Sequence, residues 1–330
     1  MLFRSADAVK FQTFCAASVV SPDAPKAAYQ KRLTDPGQSQ LDMIRGLELN
    51  EADFRALSDH CRWRKILFLS TPFDAPSVDL LMRLRVPGFK IASGEVTNLP
   101  LLRKIAGTGL PAILSTGMSD LDEVAAAVRA LHDGGCLDMA LLHCVSNYPA
   151  PAEEANLRAL QTLMDSFQLP VGYSDHTAGL AVALAAVALG ASIVEKHFTV
   201  DKTLPGPDHQ ASLDPAELRA LVSGIRAVEA CLGDGVKRLM LSEADTRRVA
   251  RRSLYLACSK RAGDVIAAED LIALRPADGI DPMQLDQVIG TRLLRDLPAG
   301  SKLEWADFHP AQEHPAQERQ AAAKVRVKAN

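Results

Sequence analysis

Six short apolar runs, each followed by a helical segment, recur at near-even spacing through the middle of this chain. That alternation restricts the fold more than any other feature of the sequence. Strands are predicted over residues 66–69, 89–92, 112–115, 139–144, 170–174 and 192–197, and residues 8–11 read as a seventh. Helices are predicted over 78–84, 99–106, 121–131, 157–167 and 179–189, with a closing helix over 215–232. Asp214 stands where an N-cap belongs and Gly233 where the chain must leave the helix. Two earlier helices, 38–47 and 51–62, precede the series, the second opened by Asn50. Seven β/α units in unbroken succession predict a (β/α)8 TIM-type barrel rather than an open sheet, apparently lacking its first β/α unit. That unit is expected before residue 1, as after a misplaced start.

In parallel α/β folds the loops that follow the strands all open on one face, so the strand exits are where chemistry gathers. The fullest exits lie on the last two barrel strands: Y-S-D-H-T at Tyr173–Thr177, E-K-H-F-T at Glu195–Thr199, then P-G-P-D-H at 205–209. Strand side chains alternate, so Ser174 and His176 share one face, as do Glu195 and His197. Two imidazoles on adjacent strands can then converge on one ion. A single strand-end histidine is more often a hydrogen-bonded structural residue, and a pair alone names no metal. Polar residues stand at the other exits as well: Lys10 and Gln12; Ser70, Thr71 and Asp74; Lys90, Ser93 and Glu95; Ser115 and Thr116; His143, Ser146, Asn147 and Tyr148. Any one of them reads as a cap or turn. Together, two lysines with several hydroxyls suit a phosphorylated anion. Neither G-x-x-x-x-G-K-[ST] nor G-x-G-x-x-G occurs, which argues against a nucleotide.

A net charge of −3 gives no general attraction to nucleic acid or anionic membranes, and no apolar run is long enough to span a bilayer. Six scattered cysteines without a C-x-x-C pair read as reduced thiols of a cytoplasmic protein. After a barrel domain over 1–235, a charged linker (236–252) ends in R-R-V-A-R-R. Residues 253–258 and 264–266 then look β-like. The weak echo between A-G-D-V-I-A-A-E-D-L and A-G-S-K-L-E-W-A-D-F suits a small pseudo-symmetric β module over 253–309. Residues 310–330, rich in alanine, glutamine and lysine, read as a disordered tail.

The segments V-K-F-Q-T-F, F-L-S-T-P-F-D, F-K-I-A-S-G-E-V-T-N-L-P-L-L, L-S-T-G-M, L-H-C-V-S-N-Y-P-A-P, Y-S-D-H-T and E-K-H-F-T-V-D closely resemble the sialic acid synthase family. R-P-A-D-G-I-D-P-M resembles a motif of that family's C-terminal antifreeze-like (SAF) module. Members join phosphoenolpyruvate to an N-acetylated mannosamine-type sugar. The product is a nine-carbon 2-keto sugar acid, such as N-acetylneuraminate or legionaminate, with release of phosphate. The resemblance implies His176 and His197 as ligands of a divalent ion, Mn2+ or Mg2+. It implies Lys10, Lys90, Ser93, Thr71, Ser115 and Ser174 as holders of phosphoenolpyruvate, with one phosphate contact falling to Ser146 or its neighbour Asn147. Gln12, Tyr148 and Asp208 are expected to face the sugar, with Glu95 nearby. Arg275 is expected to reach the acceptor from the SAF module of a partner subunit, in a domain-exchanged homodimer. The family's first strand, A-E-I-G-x-N-H-N-G, has no counterpart here, and the chain as given is expected to be weakly active or inactive and less stable than one that includes that strand. Two rival readings are a metal-dependent isomerase or Schiff-base aldolase using Lys10, Lys90 or Lys196, and a non-catalytic sugar-binding dimer.

Overall fold

The computed structural model describes residues 6–308 except 28, 29, 32, 33, 36 and 207. The tail expected over 310–330 lies outside the described residues. The chain divides into two compact units, Met1–Gly235 and Val236–Asn330.

Among the described residues, seven strands run through the first unit: β1 (Ala8–Thr13), β2 (Leu67–Pro72), β3 (Phe89–Ile91), β4 (Ala112–Ser115), β5 (Met139–Cys144), β6 (Val171–Asp175) and β7 (Val194–Lys196). β1 pairs with β2, and β3 to β7 form one ladder in sequence order, every pairing parallel. β2 lies beside β3 without a ladder between them. Helices return the chain after each strand, including Ala75–Arg83, Leu99–Ala106, Leu121–Asp133, Ala159–Phe167, Ala181–Ala188 and Pro215–Leu232. In a flat sheet of seven strands, six spacings of about 4.8 Å would part the edges by roughly 29 Å. Instead Lys10 on β1 and Glu195 on β7 form an ion pair of 3.1 Å. The series therefore curls round on itself as a barrel does.

Local sequence explains where the helices start. Asn50, Asp120 and Asp214 each accept a backbone N–H with the side chain, and Asp53, Glu123 and Glu217 return the bond from the third helical position. Gly233, at φ +61°, ends the closing helix. One face of each helix packs on the strands. Phe54, Leu81, Leu102, Ile105, Leu131 and Leu160 from the helices meet Phe89, Ile91, Leu114 and Leu141 from the sheet in one continuous core. Gly172 on β6 is required by close approach: a Cβ there would lie 2.4 Å from the Ile193 carbonyl oxygen and 2.7 Å from Leu142 Cδ2. That crowding clamps β6 between β5 and β7, and β6 carries Ser174 and leads directly into His176.

The second unit is small and irregular. β8 (Ser253–Leu256) pairs antiparallel with β9 (Leu271–Leu274). Leu254, Leu256, Ile266, Ile280, Val288, Leu293, Leu297, Leu303 and Phe308 form its own buried cluster. Residues 264–266 do not make the expected strand: Val265 contributes only an isolated bridge to Arg292. β7 is also shorter than the expected 192–197, because Leu213 N–H takes the His197 carbonyl and continues the pairing outside the barrel ladder. Among the described residues no helix is long and apolar enough to cross a membrane.

Candidate active site

Three strands far apart in sequence bring charge to one point. Lys10 from β1 and Lys90 from β3 flank Glu195 from β7, at 3.1 and 3.3 Å. Lys90 is nearly sealed from solvent, and burial, outweighing the attraction of Glu195, pulls its ammonium below the usual lysine value. Burial works against the Glu195 charge too. There the Lys90 and Lys10 charges win, and its carboxyl sits well below the usual carboxylate range. Glu195 is thus an anion clasped by two cations. The clasp is incomplete: Lys90 Nζ also donates to the Ile91 carbonyl at 3.2 Å, while Glu195 Oε2 has no well-aligned hydrogen bond.

Around this triad, buried hydroxyls stand without partners. Thr71 Oγ1 at the end of β2 and Ser115 Oγ at the end of β4 are each buried and have no hydrogen-bond partner among the described residues. Leaving a buried hydroxyl unmet costs on the order of 1–3 kcal/mol, so the two together mark a place shaped for a polar guest.

His176 follows β6 and His197 follows β7, their ring centroids 5.4 Å apart. Tyr148, from the loop after β5, lies 4.3 Å from the first ring and 5.4 Å from the second. His176 Nδ1–H donates to the Val145 carbonyl at 2.7 Å, which leaves Nε2 as the free lone pair. Burial depresses the pKa of both imidazoles. His197 is pushed down to about 3, with the Lys10 charge adding to the effect of burial. Both are therefore neutral near pH 7, the form that binds metals. Asp208 Oδ2 lies 3.8 Å from His197 Nδ1, and burial raises the pKa of its carboxyl. Among the described residues no group of three or more His, Cys, Asp or Glu side chains is arranged to hold a metal by itself.

The remaining expected residues divide. Ser174 Oγ lies 3.5 Å from His176 Nε2. Ser93 Oγ accepts from the Gly117 N–H at 3.0 Å and touches Cys144 Sγ at 3.1 Å. A Cβ at Gly117 would meet Ser146 Oγ at 2.4 Å, so the glycine of S-T-G-M makes room for Ser93, Cys144 and Ser146 together. Of the two candidates for one contact, Ser146 faces this cluster. Asn147 is exposed and turns its Oδ1 back to its own neighbour, the Tyr148 N–H. Glu95 is tied to Asn98 Nδ2 at 2.6 Å, bracing the cap of the following helix. Gln12 is exposed at the end of β1, and Arg275 is exposed in the second unit. Glu195 is the candidate site residue that residue-by-residue expectation passed over. Its parity with His197 was the available signal.

His143 shows how a histidine at a strand exit serves structure instead. Its Nε2–H donates to the Ala155 carbonyl at 2.9 Å, and burial holds its pKa below the ordinary value of 6.5. As pH falls through 6.5, the unfolded chain takes up this proton before the folded one does, so stability drops on the acid side. His143→Gln is expected to flatten the fall of Tm between pH 7 and pH 5, as read by thermal denaturation. An unchanged slope would count against that assignment.

A parallel barrel with a lysine-lined, anion-receptive floor and two neutral histidines at its strand exits defines an α/β-barrel enzyme. The chain belongs to the NeuB family, which matches residues 4–237, and an SAF domain matches residues 251–309. It is 48% identical over 304 residues to the N,N'-diacetyllegionaminic acid synthase of Legionella pneumophila, covering 91% of this chain and 85% of that protein. It is 35% identical over 263 residues to the N-acetylneuraminate-9-phosphate synthase of Mus musculus, covering 78% and 72%. The crystal structure of an N-acetylneuraminic acid synthetase from Leptospira borgpetersenii, in complex with citrate, superposes with a TM-score of 0.63 at 35% identity. It covers 73% of this chain and 79% of that one. The protein is accordingly a transferase-type enzyme, a sugar-acid synthase.

Proposed function

We propose that the enzyme condenses phosphoenolpyruvate with an N-acetylated mannosamine-type aldose, giving a nine-carbon 2-keto acid and inorganic phosphate. The 2,4-diacetamido-6-deoxy sugar that leads to legionaminic acid is the first candidate, on the 48% identity to a legionaminic acid synthase. The observation that carries this reading is the Lys10–Glu195–Lys90 clasp ringed by the orphaned hydroxyls of Thr71 and Ser115. A small ligand bearing both phosphate and carboxylate would satisfy these donors, with Ser93, Ser146 and Ser174 as further hydroxyls within the same set of exits.

In the proposed reaction C3 of the enol attacks the aldehyde carbon of the open-chain sugar, and the aldehyde oxygen gains a proton. Water adds at C2 and loses a proton. The C2–O bond to phosphate then breaks, the C2 hydroxyl passes its proton to the departing phosphate, and the ketone remains. Lys10 and Lys90 hold the anionic groups while charge shifts among them, at positions fixed before the substrate arrives. Tyr148 and Asp208 stand beside the histidines, where the sugar would lie. His176 and His197 are the two residues that would hold Mn2+ or Mg2+, as neutral imidazole nitrogens, with water and substrate oxygens filling the remaining positions. Such an ion supplies Lewis acidity toward the sugar's carbonyl oxygen. We place the reaction in the cytoplasm, where the six cysteines, all free, would stay reduced. A homodimer in which Arg275 of one subunit serves the barrel of its partner is part of the same proposal.

Phosphate release is expected only when phosphoenolpyruvate and the sugar are both present. It should stop with a chelator and return with Mn2+ or Mg2+. Release that ignores the sugar, or survives full chelation, would overturn the reading. The burial of Lys90 gives a Schiff-base aldolase its one support. Borohydride should trap no imine, because Lys90 Nζ is engaged by Glu195 at 3.3 Å and by the Ile91 carbonyl at 3.2 Å.

A further inference from the structure

The R-R-V-A-R-R stretch plays no part in the proposed chemistry, yet the structure folds it round a cavity. Within the second unit, Arg247, Arg248, Arg251 and Arg252 line a cleft of about 550 Å3. Its opposite wall is the loop after β9, with Gly279, Asp281 and Met283. The two walls are joined: the Ala277 N–H donates to the Arg248 carbonyl at 2.9 Å. Ser253 Oγ donates to the Pro276 carbonyl and accepts from the N–H groups of Asp278 and Gly279, which fixes the loop.

Four arginines and one acidic residue, Asp281, line the cleft, and Asp281 Oδ1 is already taken by the Met283 N–H at 2.9 Å. Arg248 pairs with Asp245, and Arg252 donates to the Ala273 carbonyl. Neither the Arg247 nor the Arg251 guanidinium has a hydrogen bond or ion pair among the described residues. A solvated basic face is convex. Here the charges border a concavity in the size range of small-molecule sites, too small for a macromolecular partner to enter.

We propose that this cleft is a second ligand site that binds an oligophosphate, its phosphates held by Arg247 and Arg251 as forked donors. Two adjacent phosphates match two arginines one helical turn apart, since guanidinium and phosphate pair bidentately. The exposed Met283 gives an apolar surface on which the ring of a nucleoside could rest. The same phosphate chemistry is offered by free pyrophosphate and by a nucleoside triphosphate, and the experiment separates them.

Titration calorimetry on the full chain at low salt, with inorganic pyrophosphate in one arm and ATP in the other, tests the site. Saturable binding is expected in at least one arm. It should weaken about tenfold in each of Arg247→Ala and Arg251→Ala, the usual value of a charge-assisted hydrogen bond. Lys90→Met should bind the same probe unchanged, which separates this cleft from the lysines of the barrel. Tighter binding of ATP identifies a nucleotide, and equal binding identifies polyphosphate alone. The proposal is overturned if neither probe saturates below ~1 mM. It is equally overturned if the two arginine variants bind as the unaltered chain does, or if Lys90→Met abolishes the signal.

Discussion

Lys90→Met is expected to cut kcat/KM for phosphoenolpyruvate by roughly 100- to 1,000-fold, the usual cost of removing one fixed donor from a developing charge. Methionine keeps the length and apolar stem of lysine, so the packing of β3 survives. What goes is the one ammonium in the site that is almost wholly withdrawn from water. A charge in that setting acts through a low local dielectric, which is why it outweighs an exposed lysine. Glu195 keeps Lys10 at 3.1 Å, so the variant should fold and hold most of its stability. The split between constants carries the argument. If Lys90 acts on the phosphorylated substrate, KM for phosphoenolpyruvate rises or kcat falls while KM for the sugar holds. A loss below tenfold, or one confined to the sugar, would remove Lys90 from the role given to it.

The sequence was informative about this site where chemistry follows chain-local rules, and silent where it depends on long-range closure. Asn50 and Asp214 announced their helices because capping acts over three residues, and both caps are present. Parity along β6 and β7 placed Ser174 with His176 and Glu195 with His197 without any knowledge of the barrel. The clasp itself was not legible. Lys10, Lys90 and Glu195 lie on β1, β3 and β7, and only the curl of the sheet brings them together. Glu95 and Asn147 show the local alternative: polar side chains after a strand have nearby cap or backbone partners, here Asn98 and the Tyr148 N–H. The second unit was read as β-rich, yet residues 264–266 form no strand. Its few strands lack the clean alternation by which an exposed-face sheet declares itself.

Asp175→Asn is expected to cost about 3–5 kcal/mol of stability, the range for breaking a buried ion pair by removing one partner. Asp175 and Lys196 meet at 2.7 Å, their side chains 0% and 3% exposed. The carboxylate does more than pair: its Oδ1 accepts from the N–H and the hydroxyl of Thr177, both at 2.8 Å. Asparagine retains that oxygen but turns an NH2 toward a buried ammonium, which then keeps only the Thr177 carbonyl. Because Asp175 directly precedes His176 and Lys196 directly precedes His197, the pair sets the angle at which both histidines leave their strands. It faces away from the rings, so its effect on them is one of positioning. Lys196→Met alone should destabilise as well, by leaving the carboxylate unpaired. The double variant should recover more than half of what either single change loses, since two matched neutral groups have no stranded charge. Urea denaturation of the three variants reads this directly, and strictly additive losses would show that the pair acts through packing and not through charge.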